Sequence, residues 1–259
     1  MNEANKELIP LHTLNPLNRF SDRVEDYIKY RPSYPTIVID KILENFTSPT
    51  QLFAADIGAG TGISSRLLAA RGVKVIAIEP NIAMRNAAEN HSNVEWQDGT
   101  AENTHLPDAS VDLITCFQAF HWFTPEPTLS EFRRILKPQG RLAVVWNNRD
   151  NNDEFTAEYS RIVRAASNNH PAESRMESKE PLTETVYFKN FYEYNFGYQQ
   201  ELDLTGLIGR AMSVSYVPKT GEVYQKLITD LKNLYRQFKN EKGFVYMTYS
   251  TSLHLGEVN

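Results

Sequence analysis

The chain has 259 residues, of which 41% are hydrophobic and 23% charged, with a formal net charge of −5 at pH 7. That length supports one large domain or a domain with a cap, and the composition is that of a globular protein. The acidic balance argues against bulk attraction to nucleic acid or an anionic membrane, so a small molecule is the expected partner.

Residues 1–19 are polar with two prolines and are expected to be poorly ordered. Residues 20–29 have the pattern of an amphipathic helix, the Arg31-Pro32 and Tyr34-Pro35 steps impose extended backbone, and a second helix runs from 36 to 45. Together 1–48 read as an N-terminal helical flap. Strand and helix patterns then alternate: 52–57, 63–71, 73–78, 81–90, 93–96, 111–117, 126–136 and 141–146. Such alternation demands a mostly parallel sheet with helices on both faces, so 49–150 is expected to be a nucleoside-binding core. Cys116, the single cysteine, sits in the apolar run 113–117 and reads as an inert buried thiol. One cysteine also excludes an internal disulfide and a cysteine-based zinc site, and no metal is expected. Residues 137–140, Lys-Pro-Gln-Gly, predict a turn before the strand at 141.

Beyond 148 the composition changes. Residues 147–153 predict a polar linker or helix entry and 167–182 an exposed loop, while 191–202 and 244–253 alternate as strands and 204–212 and 222–238 read as helices. The expected architecture is α/β: a Rossmann-like, doubly wound, mostly parallel seven-stranded sheet with a terminal antiparallel hairpin and a helical lid. Residues 151–259 would supply the lid and the last two strands. The N-terminal ten residues lack a basic segment followed by an apolar core, and no apolar run has membrane-spanning length. A soluble, cytoplasmic protein is expected, of unassigned oligomeric state.

The densest signal is Asp56-Ile57-Gly58-Ala59-Gly60-Thr61-Gly62, followed by a second apolar run that stops on Glu79. Three glycines let the chain turn tightly over a ligand, and a strand-end carboxylate about twenty positions beyond the first glycine is placed for ribose hydroxyls. Dinucleotide folds need G-x-G-x-x-G, whereas here the spacing is G-x-G-x-G and Ile63 stands where the third glycine belongs. Asp56 ahead of the loop would repel a phosphate and attract a cation. The pattern favours a cationic, phosphate-free nucleoside over a dinucleotide.

With Asp56 to Gly62 and Glu79, the segments Gly99-Thr100-Ala101-Glu102, Leu106-Pro107-Asp108, Val111 to Ile114 and Leu136 to Gly140 resemble, in order, the motifs of class I S-adenosylmethionine-dependent methyltransferases of the type 11 domain. The resemblance covers about residues 50–148 and implies S-adenosylmethionine as cofactor. Gln118 to Phe123, with Tyr30 to Pro35 ahead of the core, is similar to the branch that includes trans-aconitate methyltransferase and related small-molecule enzymes. By that resemblance the cofactor would be held by Asp56, Gly58, Ala59, Gly60, Gly62, Glu79, Pro80, Thr100, Ala101, Glu102, Gln118 and Ala119, with Tyr30 and Arg31 folding over it. Thr100 stands where the family commonly has an aspartate for the adenine amino group. A hydroxyl accepts that bond more weakly than a carboxylate, which shifts weight to the Ala101 amide.

His121 is the histidine placed for acid–base work, with ring orientation as the alternative role. Tyr27 and Tyr34 join Tyr30 and Arg31 as a flap over the cofactor; Trp122, Tyr27, Arg210 and Tyr216 are the substrate-side candidates, with Ser213 and Ser215 beside Arg210 and Tyr216 in the lid. An arginine there can hold a substrate carboxylate, or make a surface ion pair. The reaction implied is direct methyl transfer to a small molecule, giving S-adenosylhomocysteine. The rivals are a non-catalytic nucleoside-binding module and an NAD-dependent oxidoreductase.

Overall fold

The computed structural model describes residues 11–13, 23–170 and 180–259. The expectations for the polar N-terminus outside 11–13, for residues 20–22 of the first helix and for 171–179 of the second polar stretch fall outside these residues. Seven strands form one sheet: β1 (Phe53–Ile57), β2 (Lys74–Ile78), β3 (Val94–Gln97), β4 (Val111–Phe117), β5 (Leu136–Arg149), β6 (Phe188–Leu202) and β7 (Val245–Val258), ordered β3-β2-β1-β4-β5-β7-β6. The first five are mutually parallel where they pair, and β7 is antiparallel to both β5 and β6. This is the mostly parallel α/β sheet with a terminal antiparallel hairpin.

The central strands are apolar on both faces because both faces are covered. Ala54, Ala55 and Ile57 are all fully buried. Beneath one face lie Val38, Ile39 and Ile42 of α2 (Thr36–Leu43) and Leu68 of α3 (Ile63–Ala69). On the other, Leu129, Phe132 and Ile135 of α5 (Pro125–Ile135) pack against Ile114, Val144 and Trp146. Parallel pairing in register, Ile57 opposite Ile78 and Asp56 opposite Thr115, brings the residues that follow β1, β2 and β4 to one carboxyl edge. That edge is where open parallel sheets bind ligands.

A third apolar cluster joins α6 (Glu154–Ala166), α8 (Leu204–Met212) and α9 (Gly221–Phe238) to Val245, Met247 and Tyr249 of β7. The N-terminal helix α1 (Val24–Tyr30) lies against α8, where Gly209 admits the Tyr30 ring; a Cβ there would sit 2.2 Å from it. Buried Arg23 donates to the carbonyls of Met212, Val214 and Val217 at 2.9, 2.7 and 2.6 Å, tying the start of α1 to the end of α8.

The structure departs from the sequence reading in several places. Residues 137–140 do not precede β5 but loop out within it: Val111 pairs with Leu136 and Leu113 with Arg141, with Gln139 at φ +67° in the gap. Residues 147–149 extend β5 instead of forming a linker, because Thr251, Ser250 and Tyr249 of β7 pair with them and the Thr251 hydroxyl donates to Asn147 Oδ1 at 2.6 Å. Only the end of 147–153 serves as the helix entry: Asp153 caps α6, which starts at Glu154, and its carboxylate accepts the Thr156 N–H at 2.8 Å. The 81–90 helix is cut to α4 (Ile82–Asn86), and the end of the 167–182 loop forms a short helix, α7 (Glu180–Thr183), with Leu182 buried. Among the described residues no helix is long and apolar enough to cross a membrane.

Candidate active site

The glycine loop folds back on the end of β2, where Gly58 and Ala59 N–H both donate to the Ile78 carbonyl at 2.9 and 3.1 Å. Gly58 has φ +68°, and a Cβ on it would come within 2.7 Å of Ala119 Cβ and 3.1 Å of Phe123 Cζ. Only glycine meets both the dihedral and the space. This close approach brings the end of β1 against the segment after β4.

Asp56 is fully buried, and its carboxylate accepts the hydroxyls of Ser64 and Ser65 at 2.6 Å each and of Thr115 at 2.8 Å. Burial raises its pKa while the three hydroxyls pull it back down. The side chain therefore braces the loop from behind, joining β1 to the first turn of α3 and to β4, and does not face the cavity. Ala59 and Gly62 also lie outside the cavity wall: Ala59 in the turn, Gly62 at φ +78° with the Trp96 ring 2.8 Å from a would-be Cβ. Tyr30 packs on Gly209 and is not among the cavity's lining residues.

Glu79 is 8% exposed. Its Oε2 accepts the Gly60 N–H at 2.8 Å and its Oε1 the Asn81 N–H at 2.9 Å, so the carboxylate is held at both oxygens. Each oxygen retains a second acceptor position, which suits a vicinal diol. Burial raises its pKa, opposed by those two amides and by Arg85. Asn81 caps α4 by accepting from the Ala83 and Met84 N–H groups, a signal present in the sequence as Asn after Glu-Pro ahead of an apolar pair.

A cavity of about 510 Å³ opens over this edge. Glu79, Pro80, Gly58 and Gly60 line it on one side, and Thr100, Ala101, Glu102, Gln118 and Ala119 on the other. Glu102 is oriented by the Thr124 N–H at 2.9 Å, and the Thr100 hydroxyl accepts the Asn103 N–H at 3.2 Å. Met84, Phe123 and Thr124 also line the cavity and were missed in the sequence reading. Among the described residues lining it are two carboxylates and no basic side chain.

A smaller pocket of about 60 Å³ adjoins it, with Tyr27, Gln118 and Trp122 in both walls. Arg31, Arg149, Arg210, His121, Tyr34 and Tyr216 line this pocket, and among its described lining residues there is no carboxylate. Arg31 thus faces the second pocket and not the first. Its guanidinium lies 4.8 Å over the Tyr27 ring and donates to the Ser213 carbonyl at 3.1 Å, leaving a buried Nε without a partner. Burial and the nearby Arg210 lower its pKa. Arg210 donates to Tyr249 Oη at 3.2 Å and to the Ser213 hydroxyl at 3.3 Å. Ser215 lines the pocket beside Tyr216, whose ring stacks on His170 at 4.6 Å. Asn147 and Arg149 reach it because β5 continues to the carboxyl edge, with Asn147 N–H donating to Gln118 Oε1 at 2.7 Å.

His121 lies in a 3₁₀ turn, Phe120–Trp122, and is 8% exposed. Its Nδ1 accepts the indole N–H of Trp146 at 3.3 Å. Burial, with the positive Arg31 adding to it, pushes the His121 pKa down to about 3. Cys116 is fully buried, and burial raises its thiol pKa well above the ordinary value, consistent with an inert side chain. Among the described residues no cluster of three or more His, Cys, Asp or Glu side chains is placed to hold a metal.

Sheet order, glycine loop and strand-end glutamate define a Rossmann-like nucleoside site of the methyltransferase kind. Residues 55–144 match the family described as methyltransferase domain. An uncharacterized methyltransferase-like protein of Schizosaccharomyces pombe is 36% identical over 149 residues, which are 57% of this chain and 58% of that protein. The chain therefore spans less than two thirds of the length of that relative. A protein assigned as a type II methyltransferase from Anaeromyxobacter dehalogenans shares the fold at TM-score 0.69 and 22% identity, covering 88% of this chain and 98% of that one. Phosphoethanolamine N-methyltransferase 2 of Haemonchus contortus, solved with phosphomonomethylethanolamine and S-adenosylhomocysteine, shares it at TM-score 0.57 and 14% identity, covering 97% and 61%.

The larger cavity fits S-adenosylmethionine, the cofactor that the motif resemblance implies. Its volume is that of a small-molecule site, Glu79 offers open acceptor positions to a diol, and two carboxylates with no basic side chain in the described lining suit a cation better than a phosphate.

Proposed function

We propose that the chain is an S-adenosylmethionine-dependent methyltransferase acting by direct displacement on a small molecule that carries an acid group. The supporting observation is the opposite charge of two adjoining cavities: carboxylates line the larger one, and three arginines line the smaller. When bound, the cofactor supplies an activated methyl group, which passes to a lone pair of the acceptor as the carbon–sulfur bond breaks and its electrons remain on sulfur, giving S-adenosylhomocysteine.

The protein's own residues bind and orient. Glu79 holds the ribose hydroxyls, while Thr100, Ala101 and Glu102 border the adenine. Gln118 and Ala119 lie by the methionine part, with Gln118 and Trp122 in the wall common to both cavities. Arg31 and Arg210 hold the acid group; the unpartnered Arg31 Nε supplies a donor that the protein itself leaves unused. Alignment of the reactants is worth up to roughly 7–11 kcal/mol in favourable model reactions, and water exclusion adds to it. In this reading 1–48 is a flap, 49–150 binds the cofactor, and 151–259 provides the lid and the last two strands.

A labelled-methyl assay over small carboxylic acids, amines and phenols, run beside calorimetry with S-adenosylhomocysteine, tests the proposal. Transfer to acids, with Arg210→Gln raising KM and leaving product affinity intact, is expected. Absence of product binding, or transfer confined to amines, would overturn it.

A further inference from the structure

Trp146 is fully buried in β5, and the edge-on rings of Phe120 and His254, at 6.3 and 5.4 Å, hold its indole in one orientation. Its Nε1 lies 3.3 Å from His121 Nδ1. An indole nitrogen has a proton to give and no lone pair to accept with, so His121 Nδ1 must be the acceptor. A neutral imidazole whose Nδ1 accepts carries its proton on Nε2. With its pKa near 3, from burial and the positive Arg31, the ring is neutral throughout the physiological range.

We propose that Trp146 is a positioning residue: by occupying Nδ1 it locks His121 in the Nε2–H tautomer, so that His121 donates a hydrogen bond to the acceptor and removes no proton from it. The acceptor's identity rests on the methyltransferase reading above; the tautomer does not. The other charged groups facing the pocket are Arg31 after α1, Arg149 on β5 and Arg210 on α8, all donors, and burial raises the pKa of Tyr34 well above its ordinary value. Tyr27 and Tyr216 line the pocket as well, as phenols that can donate, and among its described lining residues there is no carboxylate. The atom methylated is then one that arrives already deprotonated, such as a carboxylate oxygen. Its lone pair forms the oxygen–methyl bond, the methyl–sulfur bond breaks onto sulfur, and the acceptor releases no proton.

Selective ¹⁵N labelling of the six histidines, with the His121 signals assigned through His121→Gln, reads the tautomer directly from long-range ¹H–¹⁵N correlations. The expected result is a proton on Nε2 at every pH from about 5 to 8, with that preference lost in Trp146→Phe. A kinetic arm does not depend on how well Trp146→Phe folds. The Gln side chain places an amide donor near the former Nε2, so His121→Gln is expected to keep kcat/KM within about tenfold of wild type. His121→Phe should lose about tenfold to 150-fold, the range for a hydrogen bond to a charged group. A proton on Nδ1, a ring that titrates between about pH 5 and 8, or a Gln variant as impaired as the Phe variant would each overturn the proposal. The spectra need neither cofactor nor acceptor, so failure of the methyltransferase reading would appear separately, as absent S-adenosylhomocysteine binding.

Discussion

Glu79→Gln separates the two functions of that carboxylate. In the wild type each oxygen takes one backbone N–H, from Gly60 at 2.8 Å and from Asn81 at 2.9 Å. A glutamine has one acceptor oxygen, and its amide nitrogen must face the other N–H, donor against donor. Orphaning that buried amide costs about 1–3 kcal/mol. A neutral amide also avoids the desolvation that raises the Glu79 pKa, which acts in the opposite direction. The unliganded protein should therefore stay within about 2 kcal/mol of wild type. No such compensation exists for the ligand, because one of the two acceptors presented to the ribose is gone together with its charge. A hydrogen bond to a charged group contributes about 1.5–3 kcal/mol, so the dissociation constant for S-adenosylhomocysteine should rise roughly 10- to 150-fold. Titration calorimetry measures the affinity, and denaturant unfolding of the same sample checks the fold. A well-folded variant whose affinity lies within a factor of about two of wild type would refute the assignment of Glu79 to the ribose.

Three further perturbations address the loop, the pocket and the flap. Gly58→Ala must place a Cβ 2.7 Å from Ala119 Cβ at φ +68°; strain of roughly 1–3 kcal/mol should lower Tm by several degrees and weaken cofactor binding, read by thermal melts with and without S-adenosylhomocysteine. His121 has a folded pKa of about 3 against an ordinary 6.5, so the unfolded chain binds the proton more readily. Its contribution to stability is full above the unfolded value and is lost as pH falls from there toward the folded one. About 2 kcal/mol should disappear between roughly pH 7 and 5, measured by urea unfolding, and His121→Phe should abolish that slope. Arg23→Ala leaves three carbonyls, of Met212, Val214 and Val217, without their guanidinium. The Val214 carbonyl keeps the Val217 N–H at 3.3 Å; at roughly 1–3 kcal/mol for each of the other two carbonyls, Tm should fall by about 4 °C or more, and acceptor KM should rise through the displaced Ser215 and Tyr216.

The half of the site that was legible in the sequence is the half built locally. Gly58, Gly60, Glu79, Thr100 and Gln118 each sit within a few residues of the end of a strand, and parallel pairing delivers these strand ends to one edge. Strand pattern plus glycine spacing is then enough to locate a nucleoside cavity. Asp56 could be seen to be significant, but its direction depends on Ser64, Ser65 and Thr115, whose hydroxyls turn the carboxylate away from the cavity and into the core. Arg31 could be seen near the cofactor half in sequence, yet Arg23 anchors its helix to the end of α8 and carries it to the second pocket.

That second pocket draws on 27–34, Ile63, 118–122, 147–149 and 210–216, five segments from the flap, the start of α3, the edge of β4, the end of β5 and the lid. No periodicity or spacing links them. Residues 147–149 read as linker until β7, about a hundred positions later, supplies the strand that pairs with them. The chemical state of His121 is equally non-local, since its own neighbours in sequence permit either tautomer and Trp146, a partner across the sheet edge, selects one. Cofactor chemistry is thus encoded in short motifs because every such domain must hold the same nucleoside. Acceptor chemistry is encoded in tertiary contacts, here by gathering three arginines and a donor-locked imidazole beside a cavity that contains the opposite charge.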